Sequence, residues 1–255
     1  MSGQDGVERF SGRAEDYVRY RPDYPDALAR WLHEEHGVAT GCTVADIGAG
    51  TGISTRYWAR HGHPVQAVEP NAAMRAALQR ELAGAAEIRV IDGTAEHTSL
   101  PDHGVGLVSA ATAFHWFEPG PTRREWARIL APGGLACVFW NSRVAEASPL
   151  LQGYEALLHR YGLDYPDTAR RKPDDRRMRE WFGPGFRAMA AFANTQWLDF
   201  GQLYGRMRSS SSAPPPDHPA HAPMREALQQ LFDECSEQGR VRFDYLTRVF
   251  VGSLH

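Results

Sequence analysis

Between Thr43 and Trp140 the apolar positions fall into short runs separated by longer stretches in which they recur every three or four residues. Runs of the first kind read as strands at 43–46, 64–69, 87–92, 104–110 and 134–140. Stretches of the second kind read as helices at 53–61, 71–83 and 120–130. Pro132-Gly133-Gly134 marks a turn before the fifth strand. Strand–helix alternation of this kind builds a parallel sheet through right-handed crossovers. Ligands of such sheets bind at the carboxyl ends of the strands, where Asp46, Glu69 and Asp92 fall.

The flanks read differently. Residues 7–25 are charged and aromatic, with Phe10, Arg13, Tyr17, Tyr20, Arg21 and Tyr24, and Pro25 can open a helix carrying Leu28, Trp31 and Leu32 that ends near Gly37. Beyond Trp140 a helix is expected at 149–163, with Leu150, Tyr154, Leu157, Leu158 and Tyr161. Strands are expected at 186–198 and at 241–251, where Val241, Phe243 and Tyr245 alternate with polar residues. Ser209–Ser212 and Pro214–Pro216 have the composition of a linker, but too little chain follows for a second domain, so they read as a surface loop. Residues 1–255 are thus expected to form one domain: amino-terminal lid helices over 1–37, a core over 38–140, an insertion with an edge strand over 141–225, and a helix plus final strand over 226–255.

Composition narrows the class. The chain has 255 residues, enough for a full core, and a net charge of −3 argues against a broad nucleic-acid footprint. Cys42, Cys137 and Cys235 are widely spaced and form no metal or redox pattern, so no metal site and a reducing compartment are expected. Met1–Asp5 has no basic-then-apolar signal, and no apolar run approaches the ~20 residues that span a bilayer. A cytoplasmic protein without a membrane partner is the expectation.

The candidate chemistry begins at Val44-Ala45-Asp46-Ile47-Gly48-Ala49-Gly50-Thr51-Gly52. Glycines at that spacing let the backbone turn tightly after a strand and approach a ligand closely. Glu69, ending the apolar run Val65-Gln66-Ala67-Val68, suits a pair of ribose hydroxyls. A dinucleotide fingerprint would need a third glycine where Ile53 stands. The pattern is instead Asp46-x-Gly48-x-Gly50-x-Gly52, in which the acid supports a loop for a cationic amino-acid ligand.

On these residues the chain resembles the class I S-adenosylmethionine (SAM) methyltransferases. Phe10-Ser11-Gly12-Arg13-Ala14-Glu15-Asp16-Tyr17 with Tyr20-Arg21-Pro22, Ala113-Phe114-His115-Trp116-Phe117, and Ile129-Leu130-Ala131-Pro132-Gly133-Gly134 are similar to a subgroup that includes the trans-aconitate methyltransferases. The resemblance implies an α/β, Rossmann-like fold: a seven-stranded, mostly parallel sheet with helices on both faces, the last strand antiparallel, and a helical lid. It implies SAM as cofactor, bordered by Asp46, Gly48, Ala49, Gly50 and Gly52, by Glu69, Pro70 and Met74, by Asp92, Thr94, Ala95 and Glu96, by Thr112, and by Tyr20 and Arg21 of the lid. Tyr17, His115, Trp116, Trp140 and Asn141 are the implied substrate contacts.

His115 and Trp116 are the catalytic candidates, with three roles open for the histidine: general base, substrate lining, or packing. The expected activity is methyl transfer to a small molecule, at a carboxylate or hydroxyl oxygen, by a monomer or homodimer. Transfer to nitrogen or carbon, and SAM binding without methylation, are the alternatives. A nicotinamide-dependent oxidoreductase is disfavoured by Ile53. Ala111-Thr112-Ala113-Phe114 stands where nucleic-acid amino methyltransferases carry Asn/Asp-Pro-Pro-aromatic, which argues against a DNA or RNA base as acceptor.

Overall fold

The structure is a computed structural model that describes residues 19–163, 165 and 174–255. Tyr17, Phe10, Arg13 and the Arg170-Arg171-Lys172 run lie outside the described residues. Helix α1 (Asp26–His36) precedes β1 (Val44–Ile47), α2 (Ile53–Arg60), β2 (Val65–Val68), α3 (Ala72–Glu81), β3 (Ile88–Ile91) and β4 (Val105–Ala111). Then come a 3-10 turn (Phe114–Trp116), α4 (Pro119–Ile129) and β5 (Leu130–Arg143). The remainder is α5 (Pro149–Tyr161), α6 (Asp175–Phe182), β6 (Phe186–Leu198), α7 (Phe200–Arg208), α8 (His221–Cys235) and β7 (Val241–Gly252).

The seven strands form one sheet in the order β3-β2-β1-β4-β5-β7-β6. The first five run parallel, and β7 lies antiparallel to both β5 and β6. After β1 the chain winds outward through β2 and β3, then crosses back to place β4 on the other side of β1. That reversal opens a crevice at the carboxyl ends of β1 and β4.

The strands read as continuous apolar runs because both faces are covered. On one face Leu28, Leu32, Tyr57 and Trp58 of α1 and α2 pack on Val44, Val65, Leu107 and Phe139. On the other, Trp126 and Ile129 of α4 with Trp181 and Phe182 of α6 pack on Ala45, Val108, Val138 and Phe250. A further cluster joins α5, α7 and α8 to Val241, Phe243 and Tyr245 of β7.

Three readings of the sequence are corrected. Pro132-Gly133-Gly134 does not precede β5 but lies inside it, as an irregularity where the pairing jumps from Val105↔Leu130 to Leu107↔Leu135. Ser209–Ser212 is not a surface loop: Ser209 and Ser212 are buried, because Arg21 donates to Ser209 Oγ (3.0 Å) and O (2.6 Å), and Leu163 N donates to Ser212 O (2.7 Å). Small hydroxyl side chains permit that close approach, which composition alone does not reveal. Helices α6 and α7 carried no predicted element. In α6 the arginines of the 176–179 run face outward while Met178, Trp181 and Phe182 are buried, and Asp174 caps it by accepting from Arg177 N at 2.8 Å.

Candidate active site

β1 ends at Asp46 and Ile47, and the chain then turns through three glycines with positive φ: Gly48 (68°), Gly50 (58°) and Gly52 (93°). A Cβ on Gly48 would lie 2.7 Å from Ala113 Cβ and 3.1 Å from Phe117, so this glycine lets the loop after β4 close against the turn. A Cβ on Gly50 would meet nothing within 4 Å. The backbone at Gly50 therefore faces open space.

Asp46 is fully buried and accepts from Ser54 Oγ (2.7 Å), Thr55 Oγ1 (2.7 Å) and Ser109 Oγ (3.2 Å). Trp58 Nε1 in turn donates to Ser109 Oγ at 2.8 Å. Burial pushes the Asp46 carboxyl up, against the three hydroxyls. This acid ties β1 to the start of α2 and to β4, and it supports the turn from beneath. Ser54, Thr55 and Ser109 escaped the sequence reading; the pair of hydroxyls opening the helix just after the glycine turn was the available signal.

Glu69 ends β2, with Oε2 accepting the Gly50 amide at 2.9 Å and Oε1 the Asn71 amide at 2.8 Å. Burial raises its carboxyl, while the Asn71 and Gly50 amides and the nearby Arg75 pull the other way. Arg75 on α3 donates to the carbonyls of Glu69 (2.8 Å) and Pro70 (2.6 Å) and to Asp92 Oδ2 (2.8 Å). It thereby staples the ends of β2 and β3, another role the sequence reading missed. Met74 is buried beneath, in a helix capped by Asn71 Oδ1 accepting from Met74 N at 3.0 Å.

The loop after β3 is fixed at two points. Glu96 Oε1 accepts the Glu118 amide at 2.9 Å at the start of α4, and Thr98 N donates to Glu125 Oε1 at 2.8 Å. Between Asp92 and these anchors, Thr94 pairs with His97 through the backbone and Ala95 is buried.

Thr112 follows β4 with φ 61°, a left-handed conformation that a β-branched residue rarely adopts. Its amide donates to Phe139 O at 2.9 Å, and its hydroxyl shares a hydrogen bond with Tyr24 Oη at 3.1 Å. Strain of this kind persists only where surroundings over-determine it, and here it directs Ala113 onto Gly48 and starts the turn holding His115 and Trp116. The rings of His115 and Trp116 sit 4.7 Å apart.

The remaining predicted residues lie on the lid side. Asn141 Nδ2 donates to Asp23 O (3.2 Å), as does Asn194 Nδ2 (2.7 Å), and Asn141 Oδ1 accepts from Asn194 and Thr247. Tyr24 and Arg60 further hold this segment, Arg60 donating to Asp23 and to Tyr24 O. Tyr20 packs its ring on Gly205 of α7, and Arg21 binds Ser209. Trp140 is buried and stacked on Phe250 at 5.2 Å. The glycine turn, Glu69 and the start of the loop after β4 thus lie together, Glu69 on the Gly50 amide and Ala113 beside Gly48, whereas Asp46 is buried beneath the turn and Trp140 lies against Phe250.

Among the described residues no group of three or more His, Cys, Asp and Glu side chains is placed to hold a metal ion, and no helix is long and apolar enough to cross a membrane.

Comparison with known proteins agrees with this fold. Residues 45–138 match the family model of a methyltransferase domain. An uncharacterized methyltransferase from Mycobacterium tuberculosis is 38% identical over 146 residues, 56% of this chain and 56% of its own length. An uncharacterized methyltransferase-like protein from Schizosaccharomyces pombe is 30% identical over 167 residues, 65% of this chain and 64% of its own. The chain therefore spans less than two thirds of the length of these relatives. The solved structure of a protein described as a type II methyltransferase from Anaeromyxobacter dehalogenans has the same fold, with a TM-score of 0.69 at 22% identity over 92% of this chain and 98% of that one.

Proposed function

Residues 45–138 match a methyltransferase domain, and from that premise we propose that the chain transfers a methyl group from SAM to an oxygen of a small-molecule acceptor. The observation that carries this reading is the pairing of an open backbone at Gly50 with the Glu69 carboxylate 2.9 Å from its amide. Each carboxylate oxygen holds one amide and keeps a lone pair for a ribose hydroxyl. The residues present thus fit a nucleoside cofactor. Glu69 would hold the ribose, the Gly48–Gly52 backbone the amino-acid end, and Asp92 with Thr94–Glu96 the adenine.

The cofactor supplies an electrophilic methyl group on a sulfonium. Aligning a nucleophile in line with the carbon–sulfur bond is then most of the catalytic task, together with exclusion of water. With SAM held by Glu69 and the Gly48–Gly52 backbone, the acceptor oxygen would take the methyl group and the carbon–sulfur electron pair would remain on sulfur. A carboxylate acceptor releases no proton. A hydroxyl acceptor does, and His115 beside the crevice is the group to receive it. The oxygen reading draws on the resemblance to the trans-aconitate subgroup and on Ala111-Thr112-Ala113-Phe114 after β4. A cytoplasmic location is part of this reading and rests on the wide sequence spacing of Cys42, Cys137 and Cys235.

Calorimetric titration with SAM, with NAD as control, tests the reading. Micromolar binding of SAM alone, followed by release of S-adenosylhomocysteine when carboxylic acids and phenols are supplied, is the expected result. Binding of NAD in preference to SAM would overturn it.

A further inference from the structure

Arg206 on α7 is 3% exposed, yet no carboxylate pairs with it among the described residues. Its Nε donates to Tyr245 Oη at 2.9 Å, and Tyr245 Oη donates to Gln196 Oε1 at 2.8 Å. Its Nη1 has no hydrogen-bond partner, and neither has the hydroxyl of Tyr154, which is fully buried in the same cluster. A second guanidinium, Arg143 at the end of β5, lies 5.6 Å from the Tyr154 ring. Glu155, the carboxylate hydrogen-bonded into this cluster among the described residues, is committed to Arg143 at 2.9 Å and to Tyr165. A buried guanidinium without a counterion and a buried hydroxyl without a partner each carry a desolvation cost that a bound anion would offset.

The cluster is linked along β5 to the segment that meets Thr112. Arg143 and Asn141 are two apart on β5 and so share a face, and Asn141 holds Asp23 O beside Tyr24, whose hydroxyl meets Thr112. Gln196, which ends the chain of hydrogen bonds from Arg206, reaches Tyr20 O at 3.4 Å. That long contact between β6 and the 19–25 segment is weaker than the Arg21 hydrogen bonds to Ser209 at the end of α7 (3.0 and 2.6 Å). The glycine turn follows β1, and β4 and β5 stand between β1 and β7, so this is not the cofactor's place.

We propose that Arg206, Arg143 and Tyr154 form a binding site for a carboxylate of the acceptor. The proposal rests on the methyltransferase reading above. A carboxylate gripped by a guanidinium is a poor nucleophile, so the group held here is a handle. The methylated oxygen belongs to a second functional group on the same molecule. A planar fork with a hydroxyl alongside matches the two oxygens of a carboxylate.

The test is calorimetry of the full chain with succinate and benzoate as probes and succinamide and benzamide as neutral controls, each with and without S-adenosylhomocysteine. The acids should bind about tenfold or more tightly than the amides. Arg206→Gln should weaken the acids by about tenfold or more and leave S-adenosylhomocysteine affinity unchanged, with partial recovery in Arg206→Lys. Tyr154→Phe, which removes one unpartnered hydroxyl, should weaken the acids severalfold without lowering the melting temperature, and it decides the matter if the Arg206 variants fail to fold. Equal binding of acids and amides, or acid affinity indifferent to Arg206 and Tyr154, would overturn the site. Preference for inorganic phosphate would overturn the carboxylate assignment. Failure of S-adenosylhomocysteine alone would count against the cofactor reading and leave the acid titrations to judge this site.

Discussion

Glu69 accepts the Gly50 amide at 2.9 Å, so the acid that ends β2 and the turn that follows β1 act as one unit. Its other oxygen holds the Asn71 amide at 2.8 Å, which starts α3. A single carboxylate therefore fixes the shape of the proposed cofactor cradle before any ligand arrives. Preorganisation of this kind reduces the ordering cost of binding.

Removing that carboxylate should cost both the brace and the ribose acceptor. Glu69→Ala is expected to weaken SAM by about tenfold or more, and Glu69→Gln, which keeps one acceptor oxygen, by less. Calorimetry of both variants checks the order. A dissociation constant in Glu69→Ala equal to the parent's would end the ribose assignment.

Acid pH should separate the affinity of the site from the stability of the fold. Burial raises the Glu69 carboxyl. The folded state therefore holds its proton more tightly than the unfolded chain does. Stability from this group is fully present below the unfolded pKa and is lost as pH rises through the folded one. The ionised form is the better acceptor for ribose hydroxyls, so SAM affinity should fall on acidification, beginning above the ordinary glutamate range. Affinity measured from pH 4 to 8 should show this fall in the parent and lose it in Glu69→Gln; parallel curves for the two proteins would contradict it.

The two glycines flanking Ala49 should fail in different ways. Gly50→Val places a side chain in open space at φ 58°, so it should abolish SAM binding and cost about 1–2 kcal/mol from the left-handed backbone. Gly48→Ala drives a methyl group to 2.7 Å from Ala113 Cβ, within the packing that positions His115. Its first sign should be a lowered melting temperature. Calorimetry beside thermal unfolding separates the two; retained affinity in Gly50→Val would sink the cofactor assignment.

The strand–helix rhythm from Thr43 to Trp140 was legible because each strand is short, apolar and bounded by turn residues, and each helix has one buried stripe. Glu69 was legible because the acid sits at a strand end with glycines at a fixed distance before it. The braces were not. Arg75 reads as a surface arginine until its guanidinium is seen to span Glu69 O and Asp92, and Ser109 reads as an interruption in β4 until Asp46 and Trp58 meet on it. Arg206 lies in a helix that carried no predicted element, and its burial depends on Tyr154 and Tyr245, both remote in sequence. Pairings between distant side chains leave no period in the sequence.

The loop carrying Thr94–Glu96 leans on α4, and that attachment should set an acid limit to stability. Glu125 Oε1 accepts from Thr98 N (2.8 Å), Thr98 Oγ1 (2.6 Å) and Arg128 Nη2 (2.7 Å), and Oε2 accepts from Arg128 Nε (2.8 Å). Burial alone would raise this carboxyl, but the Arg128 and Thr98 hydrogen bonds overcome it and hold it down at about 2. The folded pKa thus lies below the unfolded one, so the stabilisation is present above the ordinary glutamate value of about 4.3 and disappears as pH falls toward the folded value. Glu125→Gln is expected to cost about 1–3 kcal/mol at pH 7. Urea unfolding of both proteins at steps between pH 3 and 7 should show that difference narrowing below the ordinary glutamate range. A difference that stays constant with pH would assign Glu125 a packing role and leave the 94–98 loop to be held by Glu96 at the start of α4.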